Sequence, residues 1–268
     1  MATRSATINV MARAAGKAAR GLNRDFGEVE QLQVSLKGPA DFVSAADLKA
    51  ERVLREELGR ARPGFGFLLE ETGAVAGDDP HHRWIVDPLD GTTNFLHGVP
   101  HFAISIALQR DDEIVAGIVY DPVKDELFWA ERGVGAYLND RRLRVSSRRR
   151  LDEALLATGI PFRGHGDRRS YLAQLDAAMQ ATAGVRRFGA AALDLAYVAA
   201  GRYDGFWESH LSPWDIAAGM LLVREAGGYV SEIDGGGAMM TSGSMLAAND
   251  RLHEAIGRLL RGAGGAVG

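Results

Sequence analysis

Two aspartates, Asp87 and Asp90, follow the apolar run Trp84-Ile85-Val86 and lead straight into Gly91-Thr92-Thr93. A buried strand that ends on paired carboxylates, and then on residues able to present bare backbone N–H groups, brings cation-binding and phosphate-binding chemistry within one turn of each other. Pro88 restricts the backbone between the two carboxylates. The same residue types are favoured in a polar turn, so composition leaves both readings open. Three further acidic segments invite the same question. Glu70-Glu71 follows the apolar Phe65–Leu69, as a second carboxylate pair at a strand end or as an acidic surface pair. Asp47 follows Ser44-Ala45-Ala46 at a helix start, where a carboxylate also offsets the helix dipole. Asp215 lies in Ser212-Pro213-Trp214-Asp215 before an apolar helix, which is also the pattern of a capping box with proline at the first helical position.

Taken together these segments resemble a known family. Trp84-Ile85-Val86-Asp87-Pro88-Leu89-Asp90-Gly91-Thr92-Thr93-Asn94-Phe95 is similar to the first signature of the inositol monophosphatases. Trp214-Asp215-Ile216-Ala217-Ala218-Gly219, continuing through Glu225-Ala226-Gly227-Gly228, is similar to the second, and the similarity runs from about Ser35 to Asn249. The resemblance implies an α/β (α+β) fold, a layered α-β-α-β-α sandwich with the site between its sheets. By matched position, Glu70, Asp87 and the Leu89 carbonyl would hold one metal ion. Asp87 would bridge to a second, completed by Asp90 and Asp215, and a third, looser ion would sit near Glu70. Such all-oxygen ligands select magnesium first and manganese second. Four converging carboxylates would repel one another unless cations lay between them.

The resemblance further implies a metal-dependent phosphomonoesterase acting on inositol 1-phosphate or a similar small polyol phosphate. Asp47, Glu70 and Thr92 form its expected catalytic set, with Thr92 paired to Asp47 to orient the attacking water. The N–H groups of Gly91 and Thr92 are expected on the phosphate. Asp90, Gly189, Ala190, Ala191 and Glu208 are expected on the polyol. Ala190 stands where many relatives have serine, which removes one hydroxyl contact. Lys37 fits a family lysine near the metals or an exposed lysine before the Gly38-Pro39 turn. A covalent aspartyl-phosphate route would want an Asp-x-Asp nucleophile, and the spacing here is Asp-x-x-Asp. A homodimer and inhibition by lithium are further implications. Alternative substrates within the fold are fructose 1,6-bisphosphate, histidinol phosphate and a nucleotide 3′-phosphate.

The elements that must position these residues are legible from periodicity. Ile8, Met11, Ala12, Ala15, Ala19, Leu22 and Phe26 predict a long opening helix. Val43 to Leu58 predicts a second, ending near Gly59 before the Pro63-Gly64 breaker. Strands are expected at Trp84–Val86, Phe102–Leu108, Ile114–Tyr120 and Glu126–Trp129, with a tight turn at Asn139-Asp140 leading into Leu143–Val145. The second half alternates strands at 155–158, 185–188, 205–208, 228–233 and 245–248 with helices at 170–181, 190–200, 213–226 and 250–260. The final residues, about 262–268, are expected to form a flexible tail on a single domain spanning 1–268.

Composition narrows the remaining options. The chain has 268 residues, 46% hydrophobic and 25% charged, with net charge −4 and no cysteine, so thiolate chemistry and disulfides are excluded. No apolar run approaches the ~18 residues of a membrane span and the N-terminus lacks a secretory pattern, which predicts a cytoplasmic protein. Of 31 basic residues, four are lysine and 27 arginine, a bias attributable to genome composition. The run Arg141-Arg142-Leu143-Arg144 with Arg148-Arg149-Arg150 is expected to be a solvated hairpin. Because some bacterial relatives associate with RNA polymerase, a nucleic-acid or polymerase docking role through these arginines is the alternative to catalysis. His81-His82 is expected in an exposed loop. His97 and His101 flank Gly98-Val99-Pro100 and are not expected to bind metal, and Gly235-Gly236-Gly237 is expected to be a plain loop.

Overall fold

The computed structural model describes residues 3–28, 34–38, 41–161 and 166–265, with backbone alone at 34–38 and 41–44. In chain order the elements are α1 (Ala6–Phe26), β1 (Val34–Gly38), β2 (Asp41–Ser44), α2 (Ala45–Ala61), β3 (Phe65–Leu69), β4 (Gly73–Val75), β5 (Asp79–Asp90), α3 (Thr92–Leu96), β6 (Ala103–Arg110), β7 (Glu113–Asp121), β8 (Glu126–Glu131), β9 (Gly135–Leu138) and β10 (Arg141–Arg142). They continue with β11 (Leu155–Thr158), α4 (Arg168–Ala181), β12 (Gly184–Arg186), α5 (Ala191–Ala199), β13 (Gly205–Glu208), α6 (Pro213–Glu225), β14 (Tyr229–Ser231), α7 (Met239–Ser242), β15 (Met245–Ala248) and α8 (Leu252–Gly265).

The strands build an eight-stranded sheet, in the order β10-β9-β8-β7-β6-β5-β3-β4, and a five-stranded sheet, β12-β11-β13-β15-β14. Side-chain alternation along the strands makes the layers. In β5, Trp84 and Val86 face α1 and α2, while Ile85 faces α5 and α6. Phe128 and Ala130 of β8 join the α5/α6 side, and Leu127 and Trp129 the other. In the second sheet Phe206, Met245 and Ala247 meet α5 and α6, whereas Trp207, Leu246 and Ala248 pack with α4 and α8. Each sheet therefore has two buried faces, which gives the expected α-β-α-β-α order.

The central helices have no polar face to spare. All nine residues of α5 are buried, as are Ile216–Val223 of α6. Small side chains let them approach closely: a Cβ at Gly219 would lie 2.5 Å from Leu195 Cβ, and one at Gly117 would lie 3.0 Å from Ala218 Cα.

Several expectations need adjustment. Val43 lies on β2, and α2 continues through Gly59 to Ala61, since a glycine in a helix interior weakens it without stopping it. The Trp84–Val86 strand belongs to a twelve-residue strand that also carries His81 and His82, so these are not in a loop. The strand after Asn139 is only Arg141–Arg142. The C-terminal helix reaches Gly265 where a tail was expected from about 262, and residues 266–268 lie outside the described set. The side chain of Lys37 also lies outside it. Among the described residues no helix is long and apolar enough to cross a membrane.

Candidate active site

Strand pairing brings the acidic residues together. β3 runs parallel to β5, with Leu69 opposite Val86, so the chain leaves both strands at the same end of the sheet and Glu70 stands beside Asp87. The Glu70 amide donates to the Val86 carbonyl at 3.2 Å, and the next amide, Glu71, donates to the buried Glu51 carboxylate of α2 at 2.8 Å. Asp87 and Asp90 differ by an odd number of residues, which on a regular strand would send them to opposite faces. The pairing with β6 slips here: Asp87 lies opposite Ser105 and Asp90 opposite Ala103, so β5 has one residue too many. This bulge, at Pro88-Leu89, restores Asp90 to the inter-sheet face that Asp87 occupies.

Backbone amides hold three of the carboxylates. Leu89 N–H donates to Asp87 Oδ1 at 2.9 Å, Ala192 N–H to Asp90 Oδ2 at 2.8 Å and Ser212 N–H to Asp215 Oδ2 at 2.7 Å. Asp215 completes the capping box with Ser212 at the start of α6 and also lines the cavity. Asp90 does for α5 what Ala190 cannot. Ala190 occupies the cap position without a side-chain acceptor, and the Asp90 carboxylate accepts from the opening amides of that helix. Ala190 itself is buried.

Electrostatics report the same convergence. Burial first, then the charges of Glu70, Asp90 and Asp215, push the Asp87 carboxyl well above its usual range. Burial, with the Asp90 charge second, does the same to Asp215. Asp90 is pushed up to about 7, mainly by burial, with the Ala192 amide pulling the other way. Among the described residues no three such side chains stand at the spacing of a closed metal centre. Glu70, Asp90 and Asp215 instead line one cavity with Asp87 directly beside Glu70, and together they set there a charge that a cation would neutralise. Their donor set is oxygen throughout and suits a hard divalent ion.

Beside them the Thr92 hydroxyl lies 3.0 Å from Asp47 Oδ1 and 3.1 Å from the Leu89 carbonyl oxygen. Asp47 is fully buried in the first turn of α2. Gly91 has φ +94°, a conformation that L side chains rarely adopt, and a Cβ there would lie 3.0 Å from the His101 carbonyl oxygen. The turn it makes opens α3, whose first amides have no helical acceptor.

The cavity measures about 640 Å³, and its lining includes Glu70, Asp90, Asp215, Gly189–Ala191 and Glu208. Every expected site residue except Asp47, Asp87 and Leu89 lines it; Asp47 and the Leu89 carbonyl meet the lining at the Thr92 hydroxyl, and Asp87 meets it at Glu70. Burial pushes Glu208 up to about 8 against the pull of Arg187. Sequence reasoning did not single out Arg187, Asn94 or Asp194. Asp194, 1% exposed, is the one charge on the apolar α5, and that isolation was a readable signal. Burial and the charges of Glu208 and Asp90 raise its carboxyl well above the usual range. Asn94 donates through Nδ2 to the carbonyls of His101 at 2.8 Å and Phe188 at 2.7 Å, tying the turn after β5 to the 188–191 segment.

The histidines set aside in the sequence stay outside this cluster. His101 packs against Phe188 and Tyr197, and burial lowers its pKa to about 4. His81 and His82 pair with Asp111 and Asp79. Parts of the arginine run are engaged within the molecule: Arg148 with Asp204, Arg150 with Asp152, and Arg142 over the Tyr137 ring.

Residues 4–264 match the model of the inositol monophosphatase family. An inositol-1-monophosphatase of Mesorhizobium japonicum is 60% identical over 253 residues, covering 94% of this chain and 95% of that protein. The Nus factor SuhB of Escherichia coli K12 is 45% identical over 249 residues, 93% of each chain. Among solved structures, the extragenic suppressor protein suhB of Bartonella henselae superposes with a TM-score of 0.93 at 58% identity, covering 96% of this chain and 99% of that one. An IMPase of Thermotoga maritima does so with 0.89 at 31% identity, covering 98% and 100%.

Proposed function

The chain belongs to the inositol monophosphatase family and is a phosphatase, and from that premise we propose that it hydrolyses inositol 1-phosphate, or a polyol phosphate of similar size, with magnesium and water. The observation that carries the reading is the convergence of Glu70, Asp87, Asp90 and Asp215 at one cavity whose lining also includes Glu208.

In this reading Glu70, Asp87, Asp90, Asp215 and the Leu89 carbonyl hold two or three magnesium ions, with manganese as a substitute. The ions supply Lewis acidity to water and to the phosphate oxygens. The protein's own part follows from its geometry. Thr92 orients the attacking water, and Asp47, which faces its hydroxyl, takes up the proton passed through it. Gly91 and Thr92 offer N–H groups to a phosphate oxygen. Asp90, the backbone at Gly189–Ala191 and Glu208 receive polyol hydroxyls. Ala190 leaves a smooth wall where a serine would add a hydroxyl, while capping of α5 by Asp90 keeps that segment in shape without it. Both sheets contribute side chains to the cavity, so the unit of activity is the whole chain, and the family resemblance implies that it works as a homodimer.

The test is phosphate release with magnesium from inositol 1-phosphate, fructose 1,6-bisphosphate and histidinol phosphate, with Asp87→Asn as control. Fastest release from inositol 1-phosphate, lost in the variant and inhibited by millimolar lithium, is the expected result. Preference for another of the three keeps the chemistry and changes the substrate. No release from any of them overturns the reading. Relatives named Nus factor SuhB favour a second role, docking through Arg141–Arg150. That role would survive Asp87→Asn and fail when the arginines are removed.

A further inference from the structure

We propose that Gly159 is a specificity-determining position: the absence of a side chain there seats the Glu208 carboxylate in the cavity wall. The inference rests on the assignment of Glu208 to polyol hydroxyls, and it goes beyond that assignment by naming what fixes the carboxylate in place.

β11 and β13 run parallel, with Thr158 opposite Trp207, so the residues that follow them, Gly159 and Glu208, emerge side by side at one sheet end. A Cβ built on Gly159 would overlap Oε1, Cδ and Oε2 of Glu208, all well inside the 3.0 Å that real Cβ atoms keep from their neighbours. The whole carboxyl group therefore occupies the volume of the missing side chain. Backbone conformation does not demand glycine here: Gly159 is absent from the positive-φ residues, unlike Gly91 and Gly189. Space for one carboxylate is what the position provides.

The surroundings make that seat consequential. Charges that act on Glu208 come from Arg187 and Asp90, and Glu208 in turn acts on Asp194, Asp215 and Tyr171. Arg187 is the one cation among these groups, and its guanidinium lies over Gly189. A carboxylate displaced from Gly159 loses its fixed relation to Arg187 and to the hydroxyl it would receive. Gly91 and Thr92, the turn between β5 and α3, are not among the groups that act on Glu208 or that it acts on.

The experiment is a double-mutant cycle with two substrates. kcat and KM are measured for inositol 1-phosphate and for 4-nitrophenyl phosphate, which has no polyol, in the magnesium-loaded protein and in Gly159→Ala, Glu208→Ala and the double variant. Gly159→Ala is expected to raise KM for inositol 1-phosphate about tenfold or more, the scale of one charge-assisted hydrogen bond, with kcat/KM for 4-nitrophenyl phosphate kept within about twofold. In the Glu208→Ala background, where the carboxylate is gone, the same substitution is expected to be silent. Equal losses on both substrates, or additive effects of the two substitutions, would overturn the inference. Glu208→Ala without effect on inositol 1-phosphate would instead remove the assignment on which it rests. Should Gly159→Ala fail to fold, folding of the double variant supports the proposal, and failure of both overturns it.

Discussion

At the scale of single residues, the proposed function makes the site a set of carboxylates whose protonation would be coupled to cation binding. Without a cation the folded protein holds protons on Asp90 up to about pH 7, and on Asp87 and Asp215 well above the ordinary carboxylate range. The unfolded chain releases the same protons near pH ~4. Between these limits the native state binds more protons, so stability falls as pH rises. A magnesium ion takes the place of the protons and cancels the loss. Melting curves in EDTA are therefore expected to drop from pH 5.5 to 8.5, and magnesium to raise the melting temperature most at the alkaline end. A magnesium shift that is the same at both pH values would contradict this. Asp87→Asn removes a repelling charge, so it should raise the metal-free melting temperature at pH 8 while abolishing the magnesium shift. Asp47→Asn differs in kind. Its carboxyl faces the Thr92 hydroxyl and is not among the expected metal ligands. We expect kcat to fall roughly 10²–10⁴-fold, the usual range for general-base loss, with the magnesium shift retained. Loss of both together would place Asp47 among the groups that hold the metal.

At the scale of elements, the site depends on how strand ends and helix starts are joined. The bulge at Pro88-Leu89 puts Asp90 on the inner face, and Asp90 in turn caps α5. Asn94 fastens the turn after β5 to the segment before α5 through two short hydrogen bonds. Replacing it with alanine leaves those carbonyls without a donor and frees the segment that carries Gly189–Ala191. Asn94→Ala should raise KM for the polyol substrate and increase proteolytic cleavage near Phe188, which is 45% exposed. Asn94→Asp should be worse than Ala, because it sets a carboxylate against two carbonyl oxygens. Ala equal to wild type in both assays would show that the tie is dispensable. Asp215 is the less clean position for mutagenesis, since it caps α6 as well as facing the cavity.

At the scale of the whole molecule, the two sheets are held at a set distance by α5 and α6, and the cavity opens at the end of that central layer. Gly219 against Leu195, and Gly117 against Ala218, set the spacing. Gly219→Ala is expected to cost about 1–3 kcal/mol by overpacking, read as a melting temperature several degrees lower, and to weaken magnesium binding because α6 carries Asp215. An unchanged melting temperature would mean that the helices part without cost. Much of this was legible in the sequence. The apolar periods of α1, α4, α5, α6 and α8, the alternation along β6–β8, and the carboxylates in their turn and cap contexts all follow from local chemistry, because helix and strand repeats and capping patterns are written within a few residues. Short elements such as β4, α3 and α7, and the true length of β5 through His81-His82, were not readable, since long-range pairing rather than propensity makes them. The same holds for the pairing of Glu70 with Asp87, the capping of α5 by Asp90, and the seat of Glu208 on Gly159. Each joins residues distant in sequence through strand register or packed space. The sequence by itself determined where helices and strands start and which carboxylates, through the family resemblance, are the expected ligands. Only the tertiary structure decided which of them meet, because register and packing distance exist only once the chain is folded.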